Sequence, residues 1–414
     1  MKNFVKNKNF GFFVKFFIII LILIAVFVFY DDILNLFLKK GNENVENFNF
    51  LDVNNTGNSV NTVSEEISPV NFNLVATGDI LCHNTQYFDA YDSSTGTYDF
   101  NYVFDDVVKY IEPADIAISS LETSFAGSDV GYSNYPRFNS PDSLITAVKN
   151  IGVDIISTAG NHCLDYGFSG LSRTIDVLDS NGLSHLGTYK SKEEQSKILY
   201  KDIDGVKIAF LNYTYGTNGI PVPSDKDFCV NLIDKDLMSS QINLAKSENA
   251  DVIIACMHWG TEYSTVQNSE QEDLADFLFE SGVDIIIGNH PHVAEPMEKR
   301  SVTLEDGTVK DCFVIYALGN FTADQNYANT RSSVILNLDL TFENDTLNIN
   351  SATYTPVYIY KNPNVRYHKF KLIDMEDAIL KYESSEDTSI GQSLYNTLKS
   401  ELNSITKIVG DEIY

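Results

Sequence analysis

The sequence predicts an α/β fold in which two packed sheets are flanked by helices. Beyond residue 73, short apolar runs with strand character alternate with helical patterns, which is typical of βαβ units with parallel strands. Two stretches depart from this alternation: residues 197–216 suit a hairpin that turns at Asp204-Gly205, and residues 332–360 suit an antiparallel meander. Parallel and antiparallel strands in these numbers favour two packed sheets over one doubly wound sheet.

The amino terminus predicts a membrane anchor. Four lysines lie within the first 15 residues, and the run from Phe10 to Tyr30 is apolar and long enough to span a bilayer as a helix. The lysines favour a cytoplasmic position for residues 1–9, which would leave the bulk of the chain outside the cell in a single-pass cell-membrane protein. A cleaved signal peptide is the alternative. We favour the uncleaved anchor, because neither an A-x-A-like site nor a lipobox cysteine follows the run.

The rest of the chain divides into three segments. Residues 31–72 are rich in Asn with scattered Ser and Thr, and we interpret them as a flexible linker. Residues 73–360 form the predicted α/β domain. Residues 361–414 form a predicted helical extension that packs on the domain, and its last part, residues 393–409, has an amphipathic pattern.

Composition limits the ligands of this protein. The chain has 57 acidic and 29 basic residues and a net charge of -28, so its average field repels nucleic acid, which we exclude as a partner. An anionic ligand would need a local cationic site, and a bound metal ion can supply one because its charge dominates its surroundings. The five cysteines form no C-x-x-C pair, and we expect no disulfide framework.

Polar residues end almost every predicted strand. Five of the seven histidines lie at such ends, where a single Asp or His could be a turn residue but so many together indicate a site. Because ligands of open α/β sheets gather beyond the carboxyl ends of the strands, we expect these groups to converge in one crevice. In chain order they are Asp79, His83, Glu122, Asn161, His162, His258, Glu262, His290, His292 and Asn320.

The residue types in this set indicate a metal centre. Carboxylate, amide and imidazole groups without a convincing thiolate suit one or two divalent ions, which could be Mn, Zn, Fe or Mg. Two ions bridged by one carboxylate could activate a water molecule and hold an oxyanion during displacement at phosphorus.

Several of these motifs resemble the CapA family, which is associated with poly-γ-glutamate capsule synthesis and belongs to the calcineurin-like metallophosphoesterase superfamily. The matching runs include TGDILCH (77–83), SSLETSF (119–125), HWGTEY (258–263), GNHPHV (288–293) and IYALGNF (315–321). They occur in the family's order and cover most of residues 73–360. The resemblance implies a four-layer α/β/β/α sandwich of the metallophosphoesterase type.

The resemblance also implies a role for each matching residue. Asp79 and His292 would bind the first metal, and Glu122 would bridge both. Asn161, His258 and His290 would bind the second. The triplet Gly-Asn-His occurs at 160–162 and at 288–290, and the two copies would differ, because Asn161 binds metal in the first and His290 in the second. The catalytic group would be His162, oriented by Asp165.

The sequence departs from the superfamily pattern in its first motif. Leu81 occupies the position of the usual histidine, and His83 lies two residues later. Either His83 completes the first metal site as a catalytic group, or the site prefers one ion. Glu262 could be a base, an orienting group or a solvated loop residue. Asn320 is expected to brace the site through hydrogen bonds.

These observations lead to one expected function and two alternatives. We expect a membrane-anchored extracellular protein of capsule or envelope polymer synthesis, with a metal-dependent hydrolase-type site for poly-γ-glutamate or a phosphoester. Membrane subunits of a capsule synthesis complex would be its partners. The alternatives are a non-catalytic component that binds or exports the polymer, and a general calcineurin-like phosphatase or phosphodiesterase. The runs HWGTEY and GNHPHV make the general phosphatase the weaker alternative.

Overall fold

The computed structural model of the protein describes residues 68–414, with the exception of residues 304–306, 308 and 387–389. The predicted anchor at 10–30 lies outside the described residues, as does the predicted linker at 31–72 up to residue 67. No helix in the described part of the chain has both the length and the apolar character needed to cross a membrane.

The first sheet has eight strands and both strand directions. Strands β1, β4, β5 and β6 are parallel neighbours, whereas β14, β15 and β16 continue the sheet from β1 in antiparallel fashion, and the short β13 pairs with the end of β1. The strands span β1 Val70–Ile80, β4 Ile116–Leu121, β5 Ile155–Ser157, β6 Ser184–Leu186, β13 Asn320–Thr322, β14 Ser332–Glu343, β15 Thr346–Lys361 and β16 Phe370–Asp374.

The second sheet has six strands in the order β11-β12-β10-β9-β8-β7. Strands β8, β9, β10 and β12 run parallel, and the two edge strands are antiparallel to their neighbours. A separate two-stranded hairpin, β2 and β3, precedes β4. These strands span β2 Tyr91–Asp92, β3 Thr97–Tyr98, β7 Leu199–Ile203, β8 Val206–Thr214, β9 Val252–His258, β10 Ile285–Asn289, β11 Met297–Thr303 and β12 Val309–Ile315.

Helices connect most of the neighbouring parallel strands, whereas β10 and β12 are connected through strand β11. Short 3₁₀ helices span Asn101–Val103, Ser128–Val130 and Asp227–Cys229. The α-helices in the described residues span α1 Asn84–Asp89, α2 Val108–Ile111, α3 Ser143–Asn150, α4 Gly167–Ser180, α5 Lys192–Gln195, α6 Lys235–Ser247, α7 Ser269–Ser281, α8 Met375–Glu383 and α9 Gln392–Val409.

The hydrophobic cores define the layers. Alternate residues of both sheets, such as Leu74 and Ile118 from one and Ile208 and Ile254 from the other, form one shared core between the sheets. Helices α3 and α4 cover the outer face of the eight-stranded sheet, and α6 and α7 cover that of the six-stranded sheet. Helices α8 and α9 pack into the central core beside β14 and β15. The expected mixed α/β architecture is therefore confirmed.

Several local predictions are also confirmed. β7 and β8 form the expected hairpin, and Asp204 and Gly205 both have positive φ, as a two-residue turn matched to the strand twist requires. β14 and β15 form the expected antiparallel pair, and the amphipathic segment 393–409 lies within α9. The chain beyond residue 360 contains a strand as well as helices, because β16 extends the eight-stranded sheet before α8 begins.

Candidate metal centre

The carboxyl ends of parallel strands from both sheets meet at one site. Asp79 lies near the end of β1 and Glu122 directly follows β4, so these two carboxylates come from the eight-stranded sheet. His258 ends β9 and His290 directly follows β10, so these two imidazoles come from the six-stranded sheet. The expected convergence of strand ends is thus observed, and it draws on both sheets.

Two groups of side chains at this site could each hold a metal ion. Asp79, Glu122 and His292 form one group, and Glu122, His258 and His290 form the other. Within each group the possible ligand atoms lie within 4.8 Å of one another, and all five residues are buried. Glu122 is common to both groups, so its two carboxylate oxygens are placed where a bridging ligand would be needed.

Asn161 adjoins the second of these groups. Its Oδ1 atom lies 3.0 Å from Nε2 of His258, while Nε2 of His258 lies 3.8 Å from a carboxylate oxygen of Glu122. An amide oxygen, an imidazole nitrogen and a carboxylate oxygen therefore point to the same small volume. This donor set suits Mn, Fe, Zn or Mg, as the sequence predicts.

The buried polar atoms of the site fit a divalent cation. Five such atoms have no hydrogen-bond partner among the described residues, although buried polar groups are normally paired. Leaving them unpaired would be costly, and divalent cations held at the site would satisfy the carboxylate oxygens among them. They are Oδ1 of Asp79, both carboxylate oxygens of Glu122, Nδ1 of His258 and Nδ1 of His290.

Burial also shifts the pKa values of these groups. It raises the pKa of Asp79 to about 7 and holds the pKa of Glu122 well above its usual range, with the nearby Asp79 carboxylate adding to the second shift. It lowers the pKa of His290 to about 3 and that of His292 to about 4, so these imidazoles are neutral at physiological pH. Neutral imidazole is the form that binds metal, and a bound cation would favour ionised carboxylates.

The backbone at the two histidines of the second Gly-Asn-His copy is strained. His290 has φ of 105° and His292 has φ of 61°, conformations that residues with side chains rarely adopt. The amide of His290 donates a hydrogen bond of 3.0 Å to the Asp79 carboxylate, and this bond helps to hold the turn. Both strained residues are candidate metal ligands, and backbone strain is common at functional sites.

Asn320 braces His292. Its Nδ2 atom donates to the carbonyl oxygens of His292 and Thr330, which fixes the orientation of the amide. Its Oδ1 atom then lies 3.0 Å from Nδ1 of His292 and acts as the acceptor. Nδ1 of His292 also lies 3.4 Å from Oε2 of Glu122, so the contact with Asn320 holds the His292 ring beside the candidate ligands.

His162 lies beside the candidate metal centre and has a hydrogen-bond partner, Asp165. Its Nδ1 atom is 2.7 Å from Oδ2 of Asp165, and that same oxygen accepts a hydrogen bond of 2.6 Å from the amide of Phe138. The ring of Phe138 packs edge-on against His162 with ring centroids 4.8 Å apart. A buried carboxylate and an aromatic wall therefore orient the imidazole.

In the first motif the sequence departs from the superfamily pattern at Leu81 and His83, and the structure shows what each of these residues contacts. Leu81 is buried and offers no ligand, and His83 belongs to neither group of possible metal ligands in the described chain. Instead, Nδ1 of His83 accepts a hydrogen bond of 3.0 Å from the amide of Asp324, so the ring faces the cavity with its proton on Nε2. Burial lowers the pKa of His83 to about 4, which favours the neutral ring.

A cavity of about 950 Å³ opens onto the metal centre. His162, His292, His83 and the exposed Glu262 all contribute to its lining. Several other lining residues were not predicted from the sequence, namely Arg137, Asn218, Asp324 and Tyr327. Asn218 follows β8, so the strand-end rule applied to that strand would have found it, whereas Asp324 and Tyr327 follow the three-residue strand β13, which has no clear sequence signal.

Asn218 contacts two of the predicted site residues. Its Oδ1 atom accepts a hydrogen bond of 3.2 Å from Asn161, and its Nδ2 atom lies 3.3 Å from Nε2 of His162. It therefore links the Asn and the His of the first Gly-Asn-His copy on the side that faces the cavity.

The fold and this buried carboxylate–histidine cluster define an α/β protein with a candidate centre for divalent metal ions. A family model described as "Bacterial capsule synthesis protein PGA_cap" matches residues 73–325, and the chain belongs to this family. The chain is 31% identical over 267 residues to the PGA biosynthesis protein CapA of Bacillus subtilis, covering 61% of this chain and 67% of that protein. It is 28% identical over 252 residues to the capsule biosynthesis protein CapA of Bacillus anthracis, covering 59% of each. The resemblance to the CapA family is confirmed.

Solved structures with some similarity of fold include those of a phosphoesterase and a nucleotidase. The calcineurin-like phosphoesterase YfkN of Bacillus subtilis is 16% identical with a TM-score of 0.40, covering 82% of this chain and 99% of that chain. The NAD nucleotidase NadN of Haemophilus influenzae is 13% identical with a TM-score of 0.46, covering 84% of this chain and 65% of that chain.

Proposed function

We propose that this protein is a metal-dependent hydrolase that cleaves a bond in an anionic capsule or envelope polymer, with poly-γ-glutamate as the substrate class. The observation that carries this proposal is the sharing of Glu122 between two buried ligand groups at the edge of a large cavity. Membership of the capsule synthesis family and the names of the Bacillus relatives support the choice of polymer.

The residues of the site divide into two sets. Asp79, Glu122 and His292 would hold one ion, and Asn161, His258 and His290 would hold a second together with Glu122. Bound divalent ions would activate a water molecule and stabilise negative charge on the reacting group. The ligand side chains are already buried and placed, so little reorganisation would accompany binding.

His162 would transfer a proton to the leaving group of the substrate. Its Nδ1 atom is engaged with Asp165, which leaves Nε2 as the atom that can donate to a leaving group in the cavity. Asp165 would stabilise the protonated imidazole between transfers. Glu262 and His83 line the same cavity, and we assign them contacts with the substrate.

We also propose that residues 10–30 anchor the protein in the cell membrane, with residues 1–9 in the cytoplasm and the α/β domain outside. The apolar run and its flanking lysines support this proposal. Protease treatment of intact cells should digest the α/β domain and spare an amino-terminal tag. Protection of the domain in intact cells would contradict the orientation.

A turnover assay separates hydrolysis from binding alone. The purified full-length chain, with added Mn²⁺ or Zn²⁺, should shorten a defined poly-γ-glutamate, and Asn161→Ala combined with His258→Ala should abolish this activity. Persistent turnover in the double variant would exclude the proposed centre. Binding of the polymer without any turnover by the wild type would favour the alternative of a non-catalytic export component. Turnover of small phosphodiesters alone would favour a general phosphodiesterase.

A further inference from the structure

The cavity contains a single permanent cation among its described lining residues, the guanidinium of Arg137. The other charged side chains there are the carboxylates Asp165, Glu262 and Asp324. In a protein of net charge -28, a lone exposed arginine on the wall of this cavity is a distinctive feature, because the general surface repels any anion that approaches.

Among the described residues, Arg137 differs from the other four arginines because its side chain has no partner. Within the described residues, Arg173, Arg300 and Arg331 pair with carboxylates, and Arg366 stacks over the ring of Tyr367. No hydrogen bond, ion pair or ring contact engages the guanidinium of Arg137 in the same described part of the chain. Its five donors are therefore available to a ligand.

The backbone of Arg137 is nevertheless fixed. Its amide donates to the carbonyl oxygen of Asn134 at 3.2 Å, and its own carbonyl accepts a hydrogen bond of 2.6 Å from the hydroxyl of Ser133. The next residue, Phe138, donates its amide to Asp165 and packs against the rings of His162 and His83. The free guanidinium thus projects from a segment that is tied directly to the catalytic histidine.

The described carboxylates that line the cavity do not pair with Arg137, so its guanidinium is available to an external anion. Asp324 is occupied by Arg331 at 2.7 Å and by Lys361, and Asp165 is occupied by His162 and the amide of Phe138. Glu262 is exposed. Because the acidic groups nearest the centre are already paired, an incoming anion can reach Arg137 without displacing an internal ion pair.

We propose that Arg137 is the specificity-determining residue of the cavity and that it pairs with a carboxylate of the polymer while an adjacent bond lies at the metal centre. This inference rests on the proposed function for the identity of the polymer. A single guanidinium matches a single carboxylate through two parallel hydrogen bonds. A phosphodiester cleaved at the metals would bring its charged group to the ions themselves and leave Arg137 without that role.

The test measures binding of a labelled γ-glutamate decamer to the Mn²⁺-loaded full-length chain by fluorescence anisotropy. Arg137→Ala should raise the Kd about 10-fold or more, and Arg137→Lys should restore part of the affinity, since lysine keeps the charge but loses the fork geometry. The matched control is Arg366→Ala, which removes the same charge outside the cavity and should leave the Kd unchanged.

A second probe defines the chemistry that is recognised. A decamer whose free carboxylates are converted to amides should bind weakly to the wild type, and Arg137→Ala should not weaken it further. The inference is overturned if Arg137→Ala leaves the Kd of the carboxylate decamer unchanged, or if both decamers lose affinity equally. It is also overturned if Arg137-dependent binding occurs with a glycerol-phosphate oligomer and not with the γ-glutamate decamer.

Turnover measured on the same samples separates this inference from the proposed function. Arg137-dependent binding without cleavage in the wild type would contradict the hydrolase and retain the role of Arg137. Cleavage with unchanged Kd and rate in Arg137→Ala would retain the hydrolase and contradict the role of Arg137.

Discussion

Oδ1 of Asn161 lies 3.0 Å from Nε2 of His258, although the two residues follow strands of different sheets and are 97 positions apart. Asn161 follows β5 in the eight-stranded sheet, and His258 ends β9 in the six-stranded sheet. The candidate metal centre therefore forms only when the sheets pack with their parallel strands ending at the same edge, so the shared core between them supports the site as well as stability.

Replacing Glu122 should affect both metal positions at once. We expect Glu122→Gln to lower the affinity for each ion by at least about 10-fold, because the residue belongs to both ligand groups. His290→Ala and His292→Ala should each affect one position. Metal content after equilibrium dialysis, measured by elemental analysis, checks this. Glu262→Gln is the control and should retain its metal, and retention in Glu122→Gln would contradict the bridging geometry.

Removing His162 should impair catalysis without removing metal. We expect His162→Ala to lower kcat by about 100- to 1,000-fold, as loss of a general acid does, with metal content unchanged. Asp165→Asn should have a smaller effect and should shift the pH profile of kcat, since Asp165 holds the imidazole through Nδ1. Steady-state kinetics together with elemental analysis test this. An unaltered kcat in His162→Ala would show that another group supplies the proton.

Gly78 should not tolerate a side chain. A Cβ atom at this position would lie 1.8 Å from the carbonyl oxygen of Gly319, where β1 meets β13. We expect Gly78→Ala to lower the free energy of unfolding by about 2 kcal/mol or more and to weaken metal binding through the adjacent Asp79. Urea unfolding measures the first effect. Gly216→Ala is the matched control, because a Cβ there meets nothing within 4 Å.

Glu295 should make stability depend on pH. It is fully buried, its Oε2 atom accepts a hydrogen bond of 2.6 Å from Gln271, and burial raises its pKa from 4.5 to about 7. The unfolded chain loses this proton near pH 4.5 and the folded chain near pH 7. The stability that Glu295 contributes is therefore present below pH 4.5 and is lost as the pH rises through 7.

Glu295→Gln removes this dependence while keeping an acceptor for Gln271. Between pH 5 and pH 8 the free energy of unfolding of the variant, relative to the wild type, should rise by about 2 kcal/mol. Urea unfolding at both pH values, with metal in excess, gives this difference. Glu280→Gln, on the exposed side of α7, makes the same charge change and should show no such rise. Parallel pH curves for wild type and Glu295→Gln would contradict the assignment.

Much of the fold and of the site could be predicted because the relevant signals are local. Alternating apolar runs indicated the parallel strands, Asp204-Gly205 indicated the β7–β8 turn, and the polar residues at strand ends indicated the edge at which a ligand gathers. Each signal depends on a few neighbouring residues and on the general rule that parallel strands present their carboxyl ends together. The three-residue strand β13 escaped prediction because pairing with β1, rather than its own sequence, determines it.

By itself the sequence determined the family, the α/β class and the types of side chain available for a metal centre. Only the tertiary structure decided that Glu122 is shared by both ligand groups and that His83 faces the cavity with Nδ1 bound to the Asp324 amide. It also decided that Arg137 lines the same cavity with no side-chain partner in the part of the chain that the structure describes. These relationships join residues as far apart as 241 positions. They depend on how two sheets and their loops pack, and no local pattern of residues determines contacts between residues so far apart in the sequence.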